Sequence, residues 1–217
     1  MLAERFFAGG LKMTIKKIYP SGFGSNSYVL SADGKSAIVI DPSSPKVMQK
    51  LNELGLTAEY VLLTHCHFDH VMGITPFVEQ GVKIVASEAE AKLVGTNADL
   101  FEMIGAPRPN YGVDIRLTHG ETRDFCGISV RAFVTPGHTQ GSTCYQVTDG
   151  KKSYLFTGDT LFENNIGRTD FPTGDLSRMR DSLLFLSTLP NMPVYAGHGE
   201  DTTLDREREE NMFLKDL

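Results

Sequence analysis

The chain has 217 residues with 21 basic and 27 acidic side chains, for a formal net charge of −6. That balance argues against a nucleic-acid binder, which would present a basic face, and the length suffices for one large domain with a sizeable core. Three cysteines (Cys66, Cys126 and Cys144) without paired spacing predict no disulfide framework and a cytoplasmic location, and no apolar run approaches the length of a membrane span.

Residues 1–12 carry a short apolar stretch interrupted by Glu4 and Arg5, a poor signal peptide. They are read as an N-terminal extension, with the main domain spanning 13–217. Residues 14–41 predict three short strands, the clearest being Asn26 to Leu30 and Ala37 to Ile40, joined by a turn at Ala32-Asp33-Gly34-Lys35. Ser44 reads as an N-cap with Pro45 at the first helical position. Val47, Leu51 and Leu54 then form one apolar face, and Gly55 ends the helix. Tyr60 to Leu63 is a buried strand, followed by a helix from about His70 to Gln80 that Gly73 and Pro76 make irregular.

Val82 to Val85 is another strand. Ser87 and Glu90 form a capping box that predicts a helix through Val94, and 95–120 reads as a long loop. Strands follow at Ser129 to Val134, Ser142 to Val147 and Ser153 to Phe156, with Asp149-Gly150 as a hairpin turn. Gly174-Asp175 precedes a helix with Leu176, Met179, Leu183 and Leu186 on one face. Pro193 to Ala196 is the last strand, and a final helix runs from about Thr203 to Phe213. Strands and then helices, twice over, suit an α/β sandwich of two face-to-face sheets with helices outside.

The chemistry concentrates at Thr64-His65-Cys66-His67-Phe68-Asp69-His70, where a strand ends and a helix begins. On an extended segment His65 and His67 face one way and Cys66 the other. Asp69 and His70 follow at the bend, within reach of a second cation. Burying these groups without a partner would be costly, and imidazole and carboxylate suit zinc, manganese or iron. His119 sits outside every motif and reads as structural. Cys66 and Cys144 read as packing residues.

The HxHxDH run resembles the signature of the metallo-β-lactamase superfamily. His138 in Thr135-Pro136-Gly137-His138-Thr139, Asp159 in Phe156-Thr157-Gly158-Asp159-Thr160 and His198 in Ala196-Gly197-His198-Gly199 follow in the family's order. The resemblance implies an αββα sandwich of two mixed sheets flanked by helices, with two divalent metal ions at one edge. Zinc is the first expectation, iron or manganese the others. It implies that His65, His67 and His138 hold one ion, that Asp69, His70 and His198 hold the second, and that Asp159 bridges them. Asp69 and Asp159 are also the candidate catalytic carboxylates. Some β-lactamases of the superfamily place a cysteine where Asp159 stands, which argues against an antibiotic-degrading role.

Gly167-Arg168-Thr169-Asp170 resembles a run of glyoxalase II-like hydrolases and of the related persulfide dioxygenases. Arg168 is a candidate substrate contact, with an internal pair to Asp170 as the favoured alternative. The tail from Gly197 resembles small glyoxalase II-like enzymes, without the extra C-terminal helical domain of full-length glyoxalase II. The resemblance implies hydrolysis of a small-molecule thioester or ester by a metal-bridging hydroxide. An iron-dependent persulfide dioxygenase using His65, His138 and Asp159, or a lactonase, is the alternative.

Overall fold

The computed structural model describes residues 13–20, 22–150, 152–215 and 217; the extension read at 1–12 lies outside them. The first sheet holds β1 (Thr14–Ile18), β2 (Ser27–Ser31), β3 (Ser36–Ile40), β4 (Thr57–Leu62), β5 (Lys83–Ser87) and β6 (Ile115–Leu117), in that order. It is antiparallel from β1 to β3 and parallel from β3 to β6. The second sheet holds β7 (Thr122–Phe125), β8 (Ile128–Val134), β9 (Thr143–Thr148), β10 (Ser153–Gly158), β13 (Pro193–Ala196) and β14 (Thr202–Thr203), with order β14-β13-β10-β9-β8-β7. Here the β10–β13 pair is parallel and the rest antiparallel. A ribbon of β11 (Leu161–Phe162) and β12 (Asn165–Ile166) stands beside it.

Side-chain alternation along the strands builds four layers. Ile38 and Ile40 of β3 point inward with Tyr28, Leu30 and Leu62, and meet Val130, Ala132, Tyr145, Val147 and Phe156 of the second sheet. Ala37 and Val39 point the other way, onto Val47 and Leu51 of α1 (Lys46–Leu54) and Phe77 of α3 (Thr75–Glu79). On the far side Phe133, Cys144, Leu155 and Val194 pack on Met179, Leu183 and Leu186 of α5 (Leu176–Ser187). Strands covered on both faces read as nearly continuous apolar runs, as Ala37 to Ile40 does. The expected αββα sandwich of mixed sheets is therefore the observed architecture.

Several local expectations need correction. The helix expected over 70–80 is two short ones, α2 (Phe68–Val71) and α3, split where Gly73 packs against the Ser44 carbonyl and donates to the Pro42 carbonyl at 2.8 Å. A β-carbon there would collide with that backbone. Ser44 makes no side-chain cap; Pro45 takes the N-cap position. The Ser87 hydroxyl does accept the Glu90 amide proton, yet only a 3-10 turn at Glu90–Lys92 follows. The 95–120 segment contains a 3-10 turn at Asn97–Asp99, α4 (Phe101–Ile104) and the edge strand β6. The final helix breaks at Asn211 into α6 (Leu204–Glu210) and α7 (Met212–Lys215), because the buried Asn211 amide donates to the Glu207 carboxylate and the Asn165 carbonyl. No helix among the described residues is long and apolar enough to cross a membrane.

Candidate metal centre

Every candidate ligand follows a strand end on one edge of the sandwich. β4 delivers His65, His67, Asp69 and His70; β8 delivers His138; β10 delivers Asp159; β13 delivers His198. Their loops are tied to neighbouring elements by backbone and side-chain hydrogen bonds. Asn26, buried at the start of β2, donates its amide to the Ala196 and Gly199 carbonyls at 3.0 Å each, and Tyr28 Oη donates to the Ala196 carbonyl at 2.7 Å, fixing the His198 loop. The His138 loop rests on α5, where Ser182 donates to the Pro136 carbonyl and the Asp175 amide to the Gly137 carbonyl. Gly197 permits the close approach of the β13 loop, since a β-carbon there would strike the Asp159 carboxylate and the His70 ring.

The seven predicted side chains converge. His65, His67 and His138 present ligand atoms within 4.8 Å of one another, and so do Asp69, His70 and His198; a third overlapping set is His65, His70 and Asp159. The shortest approach is His67 Nδ1 to His138 Nε2 at 2.8 Å. Asp159 stands between the two groups, with Oδ1 3.2 Å from His70 Nε2, and Oδ2 3.5 Å from both His138 Nε2 and His198 Nε2. Asp69 Oδ2 lies 3.1 Å from His198 Nε2.

The imidazoles are oriented from behind. Asp41 Oδ2 faces His70 Nδ1 at 2.8 Å while the same carboxylate accepts the Thr64 amide and hydroxyl at 2.8 and 2.6 Å. His138 Nδ1 faces the Arg168 carbonyl at 2.7 Å, and His65 Nδ1 faces the Thr64 hydroxyl at 3.1 Å. With Nδ1 engaged, the Nε2 atom of each of these rings is left for the cluster. Glu90, wholly buried, accepts the Cys66 amide at 2.8 Å and the Thr139 hydroxyl at 2.6 Å, and so joins the β4 and β8 loops.

Electrostatics fit a cation. His65 Nε2, His70 Nε2 and Asp159 Oδ1 are buried without a hydrogen bond, an arrangement that is costly for polar atoms with no further partner. Burial holds the His65 imidazole well below its usual range and His67 at about 3, so both offer neutral lone pairs. Burial works the same way on His70, but Asp159, Asp69 and Asp41 outweigh it and hold that ring well above the usual range. Asp159 is raised by burial, yet His70 and the other imidazoles bring it below the ordinary carboxylate range. Neutral imidazoles beside ionised carboxylates are the donor types of a transition-metal site.

The remaining candidates lie nearby or elsewhere. Arg168 makes a bidentate pair with Asp170 at 2.6 and 2.7 Å, its guanidinium 3.9 Å from the centre of the Phe171 ring. It borders the cavity above the cluster. His119 packs at a tilt against Phe133 and edge-on against Phe185, and faces the Val134 carbonyl, away from the cluster. Cys66 packs with Leu93 and Ala98, and all three cysteines are free. Sequence reasoning passed over Asp41, Asn26 and Glu90 as parts of the site. Asp41 left one trace, a lone carboxylate closing the apolar run 37–40; the other two left none.

A four-layer sandwich carrying adjoining His and Asp donor sets at one edge has the makings of a metal centre. The chain belongs to the metallo-beta-lactamase superfamily, whose family model matches residues 20–198. It is 34% identical to the hydroxyacylglutathione hydrolase GloC of Haemophilus influenzae, covering 93% of this chain and 98% of that protein. Among solved structures it resembles the B3 metallo-beta-lactamase BLEG-1 (TM-score 0.85, 30% identity, 93% of this chain and 99% of that one). It also resembles TTHA1623 in a di-iron-bound form (TM-score 0.79, 29% identity, 92% of this chain and 100% of that one).

Proposed function

We propose that this chain is a binuclear metal-dependent hydrolase of small-molecule thioesters, of the hydroxyacylglutathione hydrolase type. The observation that carries the proposal is the pair of adjoining donor sets that meet at Asp159. His65, His67 and His138 would hold one ion, Asp69, His70 and His198 the other, with Asp159 shared. Zinc is the first choice for both positions, iron or manganese the alternatives. When bound, such ions supply a Lewis acid and a water that ionises near neutral pH. The similarity to GloC over nearly the full length of both chains supports the substrate class.

The chain's own residues prepare the site. Burial keeps His65 and His67 neutral and ready to donate lone pairs. Asp41, Thr64 and the Arg168 carbonyl fix the ring orientations of His70, His65 and His138. Asp69 lies toward the open side, beside the partly exposed His198. Although burial raises it, His70 and His198 hold its carboxylate below the ordinary range, so at neutral pH it is ionised and suited to a cation. A thiol of pKa about 8.5 leaves without a strong general acid, so the reaction asks for no further acid at the centre.

Zinc-, manganese- and iron-loaded protein should each be assayed on lactoylglutathione, with oxygen uptake on glutathione persulfide followed in parallel. Metal-dependent thioester cleavage without oxygen uptake is expected, slow and with the deficit mainly in KM. Persulfide-dependent oxygen uptake with no thioester cleavage by any metal form would overturn the proposal in favour of a dioxygenase.

A further inference from the structure

The donor cluster forms the floor of a cavity of about 440 Å³. Its walls are apolar: Phe23, Phe68, Leu100, Met103, Phe162 and Phe171 surround the His and Asp side chains. Two of these are unusually exposed for their type, Phe23 at 87% and Met103 at 59%. Exposed large apolar side chains gathered at the mouth of a site mark a surface that awaits an apolar group.

The wall is also built to hold its shape. Leu100 sits at φ 66°, a left-handed conformation strained for a branched side chain, and it is nonetheless buried. The conformation is enforced on both sides. Asp99, itself buried, accepts the Phe101 and Gly95 amides and a bidentate pair from Arg108 at 2.6 and 3.1 Å. Arg108 also donates to the Thr96 carbonyl. The 96–108 segment is thus braced so that Leu100 and α4, with Met103, face the cavity.

Charge points the same way. A glutathione moiety carries two carboxylates, which call for Arg or Lys. The cavity's one lining Arg or Lys side chain among the described residues is Arg168, already paired with Asp170 through both carboxylate oxygens. The chain as a whole is negative by six charges. Resting on the hydrolase reading above, we infer that the preferred substrates are uncharged thioesters bearing an apolar chain several carbons long, seated against Phe23, Phe68, Leu100 and Met103, rather than anionic glutathione conjugates.

Two readouts on the metal-loaded full chain test this. The first is turnover of N-acetylcysteamine thioesters with acetyl, butyryl, hexanoyl and octanoyl groups, beside lactoylglutathione. The second is calorimetric binding of the corresponding uncleavable S-alkyl N-acetylcysteamine thioethers, beside S-methylglutathione. A gain of about 2- to 4-fold per methylene in kcat/KM and in affinity is expected, in line with burial of each added CH₂. Met103→Glu, at an exposed helix position, should lower the hexanoyl-to-acetyl ratio several-fold in both readouts. Flat chain-length dependence, or tighter binding of S-methylglutathione than of every alkyl thioether, would overturn the inference while leaving the hydrolase reading intact. Failure to cleave any thioester would remove the hydrolase reading, and the binding series would still decide whether the wall receives apolar chains.

Discussion

The contact between Asp41 and His70 offers a direct test of how the site is organised. Asp41 is 2% exposed and accepts three hydrogen bonds: Oδ1 from the Thr64 amide, Oδ2 from the Thr64 hydroxyl and from His70 Nδ1. In Asp41→Asn the oxygen can keep the Thr64 amide, but the NH₂ group then faces His70 Nδ1. To avoid two opposed donors the imidazole must move its proton to Nε2, the atom that faces Asp159. Loss of one buried charge-assisted hydrogen bond is worth about 1.5–3 kcal/mol. Expressed as affinity that is roughly 10- to 150-fold, which overlaps the range known for carboxylates that orient metal-binding histidines. The metal-stripped variant, titrated with zinc against a chelating dye, should show one site weakened about 10- to 100-fold. Its melting temperature should fall by roughly 4–10 °C for a chain of this size. Two zinc sites within twofold of wild type, together with an unchanged melting temperature, would refute the reasoning.

Three further outcomes are expected. Asp159→Ala removes the carboxylate that stands between the two donor sets and is proposed to be shared by them, so metal analysis should fall from two ions per chain toward one, and thioesterase activity by about 100-fold or more; two retained ions would contradict a shared ligand. Gly197→Ala pushes a β-carbon into Asp159 and His70, and should lower both melting temperature and metal content, the former by a few degrees through overpacking of about 1–3 kcal/mol; a metal content equal to wild type would show that the β13 loop has slack. Glu90, raised above its ordinary value of 4.5 by burial, binds its proton more tightly folded than unfolded. Its contribution is therefore fully present below about pH 4.5 and is lost as pH rises through the folded value. The difference in unfolding free energy between wild type and Glu90→Gln should move against wild type over that window, and parallel pH profiles would rule Glu90 out as the titrating group.

What could be read in advance, and what could not, follows from the range over which each signal acts. The metal motifs were legible because several liganding types crowd into short stretches, and because apolar runs such as 60–63 place them at strand ends. Strands buried on both faces were legible from runs such as Ala37 to Ile40. The helix expected over 70–80 failed because its break is caused by the Pro42–Ser44 backbone, nearly thirty residues upstream, against Gly73. Ser87 made its cap bond and still gave one turn, because the Glu90 side chain that would have closed the capping box is drawn inward to Cys66 and Thr139. Asp41, Asn26 and Glu90 act through partners 23 to 173 positions away, and local pattern does not specify such pairings.

The brace between Asp99 and Arg108 has a consequence for how this chain can change. The liganding residues sit on strand ends that are cross-tied through both sheets, so altering one disturbs the others. The 96–108 segment is closed on itself by its own ion pair and contributes Leu100 and Met103 without contributing a ligand. Ala98 packs on Cys66 between two of the ligands and Phe101 joins the core under the first sheet, so changes confined to Leu100 and Met103 are the ones that leave the donor atoms where they are. Selection for a new substrate would act first on these two wall positions, and drift there would alter what the molecule accepts long before it altered what the molecule does to it.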